Sequence, residues 1–393
     1  MDGAAATATR RRSRRPSLLV RSWRRSGRLV GVLALLIALL GTVDAQPQAA
    51  SSDGMGYLEG RILEIVEHTG SDPVALVQVG ERVIQALIPP DDPFGGIELP
   101  PYRVGERVEL YYSPGRDGQM TYVVSDWVRR PALGWLVGLF AVAAFAVARF
   151  TGLRAIASTG ASLVIVITFI VPQILAGANP VLVSLVGVGG ILVMAIYFVH
   201  GVNWSTTAAL VGTLLAVVVT MGLAIAFTDL ARLTGLGTED AIFIMAAAPQ
   251  VALKGLLLAG VLIGALGALT DITIVQASVV RELAHTNPKL TLTELYTRGM
   301  NVGRDHVGSL VNTLVLAYTG ASLSLLILLN VGEFGLARAL NLELVASEVV
   351  HTLVGSIGLV LAVPITTVLA AWWFRGDRIP IAPGELSHAH HHH

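Results

Sequence analysis

The chain has 393 residues, 53% of them hydrophobic, and a mean hydropathy of +0.68, which is too apolar for an ordinary soluble protein. The 27 basic and 27 acidic side chains balance to a formal net charge of zero, and the absence of cysteine excludes disulfides and thiolate metal sites. The composition therefore predicts a polytopic α-helical membrane protein.

Residues 1–45 combine a basic arm with a short apolar run. Nine arginines fall between Arg10 and Arg28, and the apolar run 29–40 follows them. This arrangement is typical of a signal peptide or of an uncleaved signal anchor. Both alternatives keep the arm in the cytoplasm and export the residues that follow. We expect the arginines to contact membrane lipid rather than nucleic acid.

Residues 46–130 change to a β-type pattern. After a polar linker, short runs rich in β-formers alternate with strong turn sequences such as Pro89-Pro90-Asp91-Asp92-Pro93. The predicted strands are 57–67, 74–79, 82–88, 107–112 and 121–126. Five strands in so short a segment predict a small all-β barrel of OB-like size outside the cytoplasm.

Residues 131–378 predict a seven-helix, permease-like transmembrane domain. If residue 130 lies outside, most basic side chains of the connections fall on the cytoplasmic side, as the positive-inside rule requires. The C-terminus would then be cytoplasmic, and the tail 379–393 ends in a histidine run that resembles an expression tag. The predicted spans are 131–148, 155–175, 181–199, 206–227, 251–280, 307–329 and 345–374.

Asp271 lies within the predicted span 251–280, where an ionisable side chain is costly and is often functional. The helical rise places it about 15 Å from Arg281, and Asn312 about 12 Å from Arg304. We therefore expect Asp271, Asn312 and Thr313 to share a layer near mid-membrane and to bind an ion. The alternative is that these polar groups only join helices.

The segment 299–308 contains three glycines beside charged side chains. At the start of a span, such a segment can bare backbone N–H groups to an anion, and Arg304 adds a forked donor. Asn301, Gly303 and Asp305 complete this predicted site. In the alternative, Asp305 is a helix cap and Arg304 is a positive-inside anchor.

Glu348 and His351 lie one helical turn apart near the outer end of the last predicted span. A carboxylate beside a histidine suits proton exchange near neutral pH. With Asp271, these two residues are the candidates for proton coupling. Ordinary solvation at the membrane interface is the alternative.

Three neighbouring stretches carry a resemblance to a known family. They read GALGALTDITIVQASVVREL, GMNVGRDHVGS and VNTLVLAYTGASL. They resemble the YibE/F-like family of bacterial multi-pass membrane proteins, and the likeness covers most of residues 55–375. The resemblance implies a bacterial plasma-membrane protein with an outward-facing N-terminal domain and a permease-like helical bundle. It implies little chemistry.

The leading functional prediction is a secondary transporter or permease for a small ion, an exporter being one form of it. An anion such as phosphate is favoured, with proton coupling, and neither enzymatic activity nor a cofactor is expected. No phosphate-binding loop motif occurs in the sequence. Gly- and Ala-rich helices are compatible with a homo-oligomer.

Two other functional classes remain open. One is an intramembrane metal-dependent hydrolase that uses Asp271, Asp305, His306 and His351. The other is a membrane-anchored assembly or sensor protein that binds a partner through the β domain.

Overall fold

The computed structural model describes residues 54–66, 73–89, 100–115, 119–332 and 335–375. The predicted basic arm, the apolar run after it and the C-terminal tail lie outside these ranges. The chain divides into two compact units, Met1–Leu153 and Arg154–His393. The first contains the β-strands and the start of a long helix, and the second contains the remaining helices.

The β-strands of the first unit form a closed barrel with strand order β1-β2-β3-β5-β4. All five lie close to the predicted runs, so the small barrel is confirmed. The strands are Gly56–Val66 (β1), Val74–Val79 (β2), Arg82–Leu87 (β3), Arg107–Pro114 (β4) and Met120–Trp127 (β5).

Alternating apolar side chains fill the barrel, as the period of two predicts. Val77, Val108 and Leu110 are fully buried there. β1 pairs with both β2 and β4, and around Gly60 the strands approach closely: a Cβ on Gly60 would collide with the Val77 side chain. Glycine at this point lets one strand close both sides of the barrel.

Helices account for the rest of the described chain, and their apolar composition matches the prediction. A π-helical turn, Val166–Ile170, separates the first two of them. The helices are Arg130–Ile165 (α1), Val171–Leu175 (α2), Pro180–His200 (α3), Trp204–Leu230 (α4), Glu239–Ala247 (α5), Leu253–Thr286 (α6), Leu292–Ala321 (α7), Leu323–Val331 (α8), Leu336–Asn341 (α9) and Glu343–Phe374 (α10).

Five helical segments of the described chain are long and apolar enough to cross a membrane. A sixth results if α7 and α8, which are bent by 59°, count as one span. The first segment, Arg130–Leu175, covers two predicted spans. The backbone of Arg149 is not helical, with a φ of 52° that is unusual for a residue other than glycine, so a kink divides this segment close to the predicted end of the first span. The membrane-type helices are confirmed, and the count of seven spans remains a prediction.

The bundle of the second unit is built around α4, α6 and α10, which pack against one another. α3 packs on α6, and α7 packs on both α6 and α10. Buried threonines join the core helices: the hydroxyls of Thr213 and Thr273 lie 2.6 Å apart, between α4 and α6. Close approach also depends on glycine, since a Cβ on Gly212 of α4 would collide with Thr366 of α10.

Candidate functional site

The predicted anion site depended on a helix start near residue 307, and this expectation is wrong. α7 begins at Leu292 and continues to Ala321. Thr291 and Glu294 form a capping box at its start, where the Thr291 N–H donates to the Glu294 carboxylate at 2.8 Å. Residues 299–308 therefore lie inside a helix, and their backbone N–H groups are used within it. No bare amides remain there to hold an anion.

Gly299 and Gly303 instead form a tight packing surface on α7. A Cβ on Gly303 would stand 2.6 Å from Val363 of α10 and 2.9 Å from the Gln276 Oε1 of α6. Gln276 is fully buried, and its Nε2 donates to the Gly299 carbonyl at 2.9 Å and to the Thr367 Oγ1 at 2.7 Å. We call these five residues the glycine–glutamine contact. Sequence reasoning missed Gln276, although an amide in an apolar helix was a signal.

The charged residues beside these glycines lie on the exposed side of α7. Arg304 and Asp305 are exposed, and the Arg304 Nη1 donates to the Asn301 Oδ1 at 3.0 Å. An anion at this point would meet the Arg304 side chain without help from backbone donors. The structure keeps Arg304 and Asn301 together and separates them from Gly303, which faces the bundle interior.

The predicted mid-membrane layer is not a buried cluster. Asp271 is exposed on α6, on the same stripe as Gly264 and Gly267. Asn312 and Thr313 are exposed on α7, and the Thr313 hydroxyl donates to the Ser309 carbonyl of its own helix at 3.0 Å. These polar groups remain available to an ion, but no contact in the described chain joins them into one site.

Glu348 and His351 are brought together with two residues that the sequence analysis did not select. The Ser322 hydroxyl donates to the Glu348 Oε2 at 3.2 Å. The rings of Tyr318 and His351 lie 4.8 Å apart between centroids. α7 thus supplies Tyr318 and Ser322, and α10 supplies Glu348 and His351. Because the pairs are distant in the sequence, only the tertiary fold could reveal this cluster.

Two polar atoms of this cluster are buried without a hydrogen-bond partner among the described residues: the Tyr318 hydroxyl and the His351 Nε2. They lie 2.5 and 2.9 Å from the point where a Cβ on Gly264 would stand. Both atoms therefore pack against Gly264, in the place that a side chain at residue 264 would take. We call Gly264, Tyr318 and His351 the tyrosine–histidine contact.

A pocket of about 230 Å³ adjoins the cluster between α7, α8 and α10. Its polar residues are Tyr318, Thr319, Ser322, Glu348 and Thr352, and leucine and valine side chains form the remaining wall. Glu348 is half-buried. A carboxylate facing an apolar pocket is a common arrangement for holding a ligand or a proton.

The residues named for the hydrolase alternative do not assemble into a metal site. Within the described residues, no group of three or more His, Asp or Glu side chains is placed to hold a metal ion. His306 contacts its own helix, with Nδ1 lying 3.2 Å from the Val302 carbonyl oxygen, whereas His351 contacts Tyr318. These contacts give no support to a shared site for His306 and His351.

Comparison with known proteins agrees with the resemblance seen in the sequence. No curated protein and no solved structure matches the chain. The family model described as YibE/F-like protein matches residues 136–376, which is more than half of the chain and includes every residue of the candidate cluster. The chain therefore belongs to the YibE/F-like family.

Proposed function

We propose that this protein is a secondary transporter for a small ion, with proton coupling at Glu348, His351 and Tyr318. The observation that carries the proposal is the tyrosine–histidine contact, where two buried polar atoms pack against Gly264 without a hydrogen-bond partner in the described chain. Leaving a buried donor or acceptor unpaired costs about 1–3 kcal/mol. A proton or ligand that reaches these atoms would recover that energy.

The chemistry of the cluster suits proton transfer. A neutral imidazole has one donor and one acceptor nitrogen, and a tyrosine hydroxyl can act in either role. Glu348 lies one helical turn before His351 and next to the pocket. A proton can therefore pass from Glu348 at the pocket to Tyr318 and His351, which pack against Gly264. In a purely structural bundle, apolar side chains at these positions would serve better.

The sign of the transported ion is a separate part of the proposal. The sequence favours an anion such as phosphate. Because α7 is continuous through residues 299–308, no free backbone amides support a preference for anions. The remaining support is Arg304, which donates to Asn301, and the polar residues on the exposed side of α7. Asp271, on α6, can pair with a coupling cation or proton.

We also propose a bacterial plasma-membrane location with the β-barrel outside and the C-terminus in the cytoplasm. The support is the excess of basic residues on one side of the apolar segments. Because the chain has no cysteine, single cysteines give a clean test. A membrane-impermeant thiol reagent applied to intact cells should label Ser125→Cys in β5. Labelling only after the membrane is opened would contradict this orientation.

The transport proposal is tested by flux in proteoliposomes. The purified chain is compared with Glu348→Gln, His351→Gln, Asp271→Asn and Arg304→Ala over a panel of anions and cations, with and without a pH gradient. We expect flux of a restricted set of ions, driven by the gradient, to fall at least tenfold in Glu348→Gln and His351→Gln. Glu282→Gln, which removes an exposed carboxylate of α6, is the matched control and should retain flux.

The Arg304 variant tests the anion prediction separately from the variants of Glu348 and His351. Loss of flux in Arg304→Ala, with anions transported, would support the anion prediction. If no ion of the panel moves while every variant is folded, the transport proposal is wrong. Capture of a partner through residues 57–127 would then be the function to test.

A further inference from the structure

We propose that the pocket between α7, α8 and α10 binds a small organic cation, such as a protonated amine or a quaternary ammonium with an apolar body, and that Glu348 is its counter-ion. The inference rests on the proposed function, because it names the class of ion that the coupling cluster would exchange for protons. At the Glu348 pocket, the inferred ligand is thus a cation, whereas the sequence favoured an anion as the transported ion.

The first observation is the state of Glu348. Among the residues that the structure describes, no ion pair involves this carboxylate, and its one hydrogen bond comes from the Ser322 hydroxyl. A half-buried carboxylate costs solvation energy unless a positive charge or a proton compensates it. The pocket leaves room for a positive charge beside it.

The second observation is the character of the walls. Leu325, Leu326, Val345, Val349 and Leu353 line the pocket. A bare metal ion prefers a shell of several charged or carbonyl oxygens, whereas this wall offers one carboxylate and the hydroxyls of Tyr318, Thr319, Ser322 and Thr352. An organic cation matches both parts of the pocket, because its apolar body replaces water against leucine and valine while its charge faces the carboxylate.

The third observation is an aromatic ring beside the carboxylate. Tyr318 forms part of the pocket wall, and its ring also contacts His351. Aromatic rings attract organic cations through the negative face of the ring. A carboxylate together with a tyrosine favours a cation over a neutral or anionic ligand of the same size.

The site also explains how the ion and the proton could be coupled. One carboxylate can hold either the cation or a proton, so the arrival of one releases the other. The titratable groups that face Glu348 are Tyr318 from α7 and His351 from α10, while α8 contributes only leucines to the pocket and α6 presents Gly260 and Gly264 behind His351. Among the described residues, Glu348 is therefore the only acidic group in the pocket wall, and the exchange is one cation for one proton.

Binding to the full-length protein in detergent tests the inference without requiring transport. The probe is phenyltrimethylammonium, measured by calorimetry near neutral pH, with benzenesulfonate as a comparator of similar size and opposite charge. We expect the cation to bind, the sulfonate not to bind, and the Glu348→Gln variant to lose at least tenfold in affinity. Glu282→Gln should bind as the parent does.

A steric pair of variants separates the pocket from a general membrane effect. Val349→Trp places a large ring in the pocket and should abolish binding. Val360→Trp alters an exposed valine of the same helix outside the pocket and should leave the affinity unchanged. Equal loss in both tryptophan variants, or undiminished binding in Glu348→Gln, would overturn the assignment.

Failure of the inference and failure of the transport proposal look different. If the folded protein binds neither probe but moves another ion in proteoliposomes, the cation site is wrong and transport stands. If the cation binds at Glu348 but no ion moves in any gradient, the site stands as a receptor for cations and transport is wrong.

Discussion

The helix α7 contacts α6 and α10 in two regions that differ in how many hydrogen bonds hold their polar side chains. In the glycine–glutamine contact, the buried Gln276 Nε2 donates to the Gly299 carbonyl and to the Thr367 hydroxyl, while its Oε1 is buried without a partner in the described chain. In the tyrosine–histidine contact, the buried Tyr318 hydroxyl and His351 Nε2 have no partner in the described chain. Glycine allows the close approach in both regions.

On the function proposed above, this difference separates a structural junction from a functional one. A glutamine amide bonded to two helices fixes how those helices lie against each other, and interhelical bonds of this kind are common where lipid gives no hydrophobic drive. Unpaired polar atoms do not fix anything and lower stability. Beside a pocket, a ligand or proton that they can take would offset this cost.

The largest expected effect is on stability, at Gly303. In Gly303→Ala the new methyl group would stand 2.6 Å from Val363 and 2.9 Å from the Gln276 Oε1, inside a contact that three helices hold closed. Overpacking of a core costs about 1–3 kcal/mol. We expect a clear fall in the thermal unfolding midpoint of the purified protein in detergent.

Gly308→Ala is the control for that variant. A Cβ at Gly308 of the same helix would meet nothing within 4 Å. Alanine is the better helix former by about 0.5–1 kcal/mol, so this variant should be as stable as the parent or slightly more stable. If Gly303→Ala and Gly308→Ala melt alike, the glycine–glutamine contact is not the tight junction described above.

The second effect is on function, at Gly264. In Gly264→Ala the new methyl group would occupy the space that the Tyr318 hydroxyl and the His351 Nε2 share. Because these are the ends of side chains, they can move aside, so the loss of stability should be smaller than at Gly303. We expect proton-driven flux in proteoliposomes to fall several-fold while the protein remains folded.

Gly267→Ala, one turn further along α6, provides the comparison. A Cβ there meets nothing within 4 Å, so flux should be unchanged. Normal flux in both alanine variants would mean that the tyrosine–histidine contact takes no part in coupling. A loss of stability at Gly264 as large as at Gly303 would mean that the two regions do not differ as proposed.

The contrast also explains what sequence could and could not predict. The barrel strands follow from alternation and turn residues, and the long helices follow from apolar runs, since both signals are local. Which stripe of an apolar helix faces its neighbours is not local, because lipid and protein interior select similar side chains. Asp271 is an example: the structure puts it on an exposed stripe of α6, and its place in a polar layer near mid-membrane remains a prediction.

The segment 299–308 shows how one residue type can support two interpretations. Glycines near charged residues suggested a bend at a helix start. Their i, i+4 spacing equally suits close helix packing, and the capping box at Thr291 and Glu294 already marked an earlier start. Tyr318 and Gly264 could not have been selected, because their meaning depends on His351 arriving from another helix.

The smallest expected effect is at a polar pair that is exposed and fully partnered, which gives the opposite extreme to the tyrosine–histidine contact. Arg129 donates to Asp126 at the end of β5, and this hydrogen bond lowers the pKa of Asp126 below its ordinary value. A lowered pKa contributes stability above the unfolded-state pKa and loses it as pH falls through the folded-state value. Since the Asp126 side chain is 41% exposed, solvent weakens the contribution.

Asp126→Asn should therefore change the stability of the barrel only slightly near neutral pH, and the difference from the parent should shrink as the pH falls through the lowered folded-state pKa of Asp126. Hydrogen exchange of the β5 amides, corrected for the intrinsic rate at each pH, measures this in the full-length protein. Ser125→Ala, at the exposed neighbouring position, is the control without an ion pair. A difference that persists unchanged at low pH would show that packing, rather than the charge of Asp126, is responsible. A loss of stability in Asp126→Asn as large as that in Gly303→Ala would show that an exposed ion pair can stabilise as much as a buried junction. Burial and hydrogen bonding of polar atoms would then be no basis for ranking the two contacts of α7.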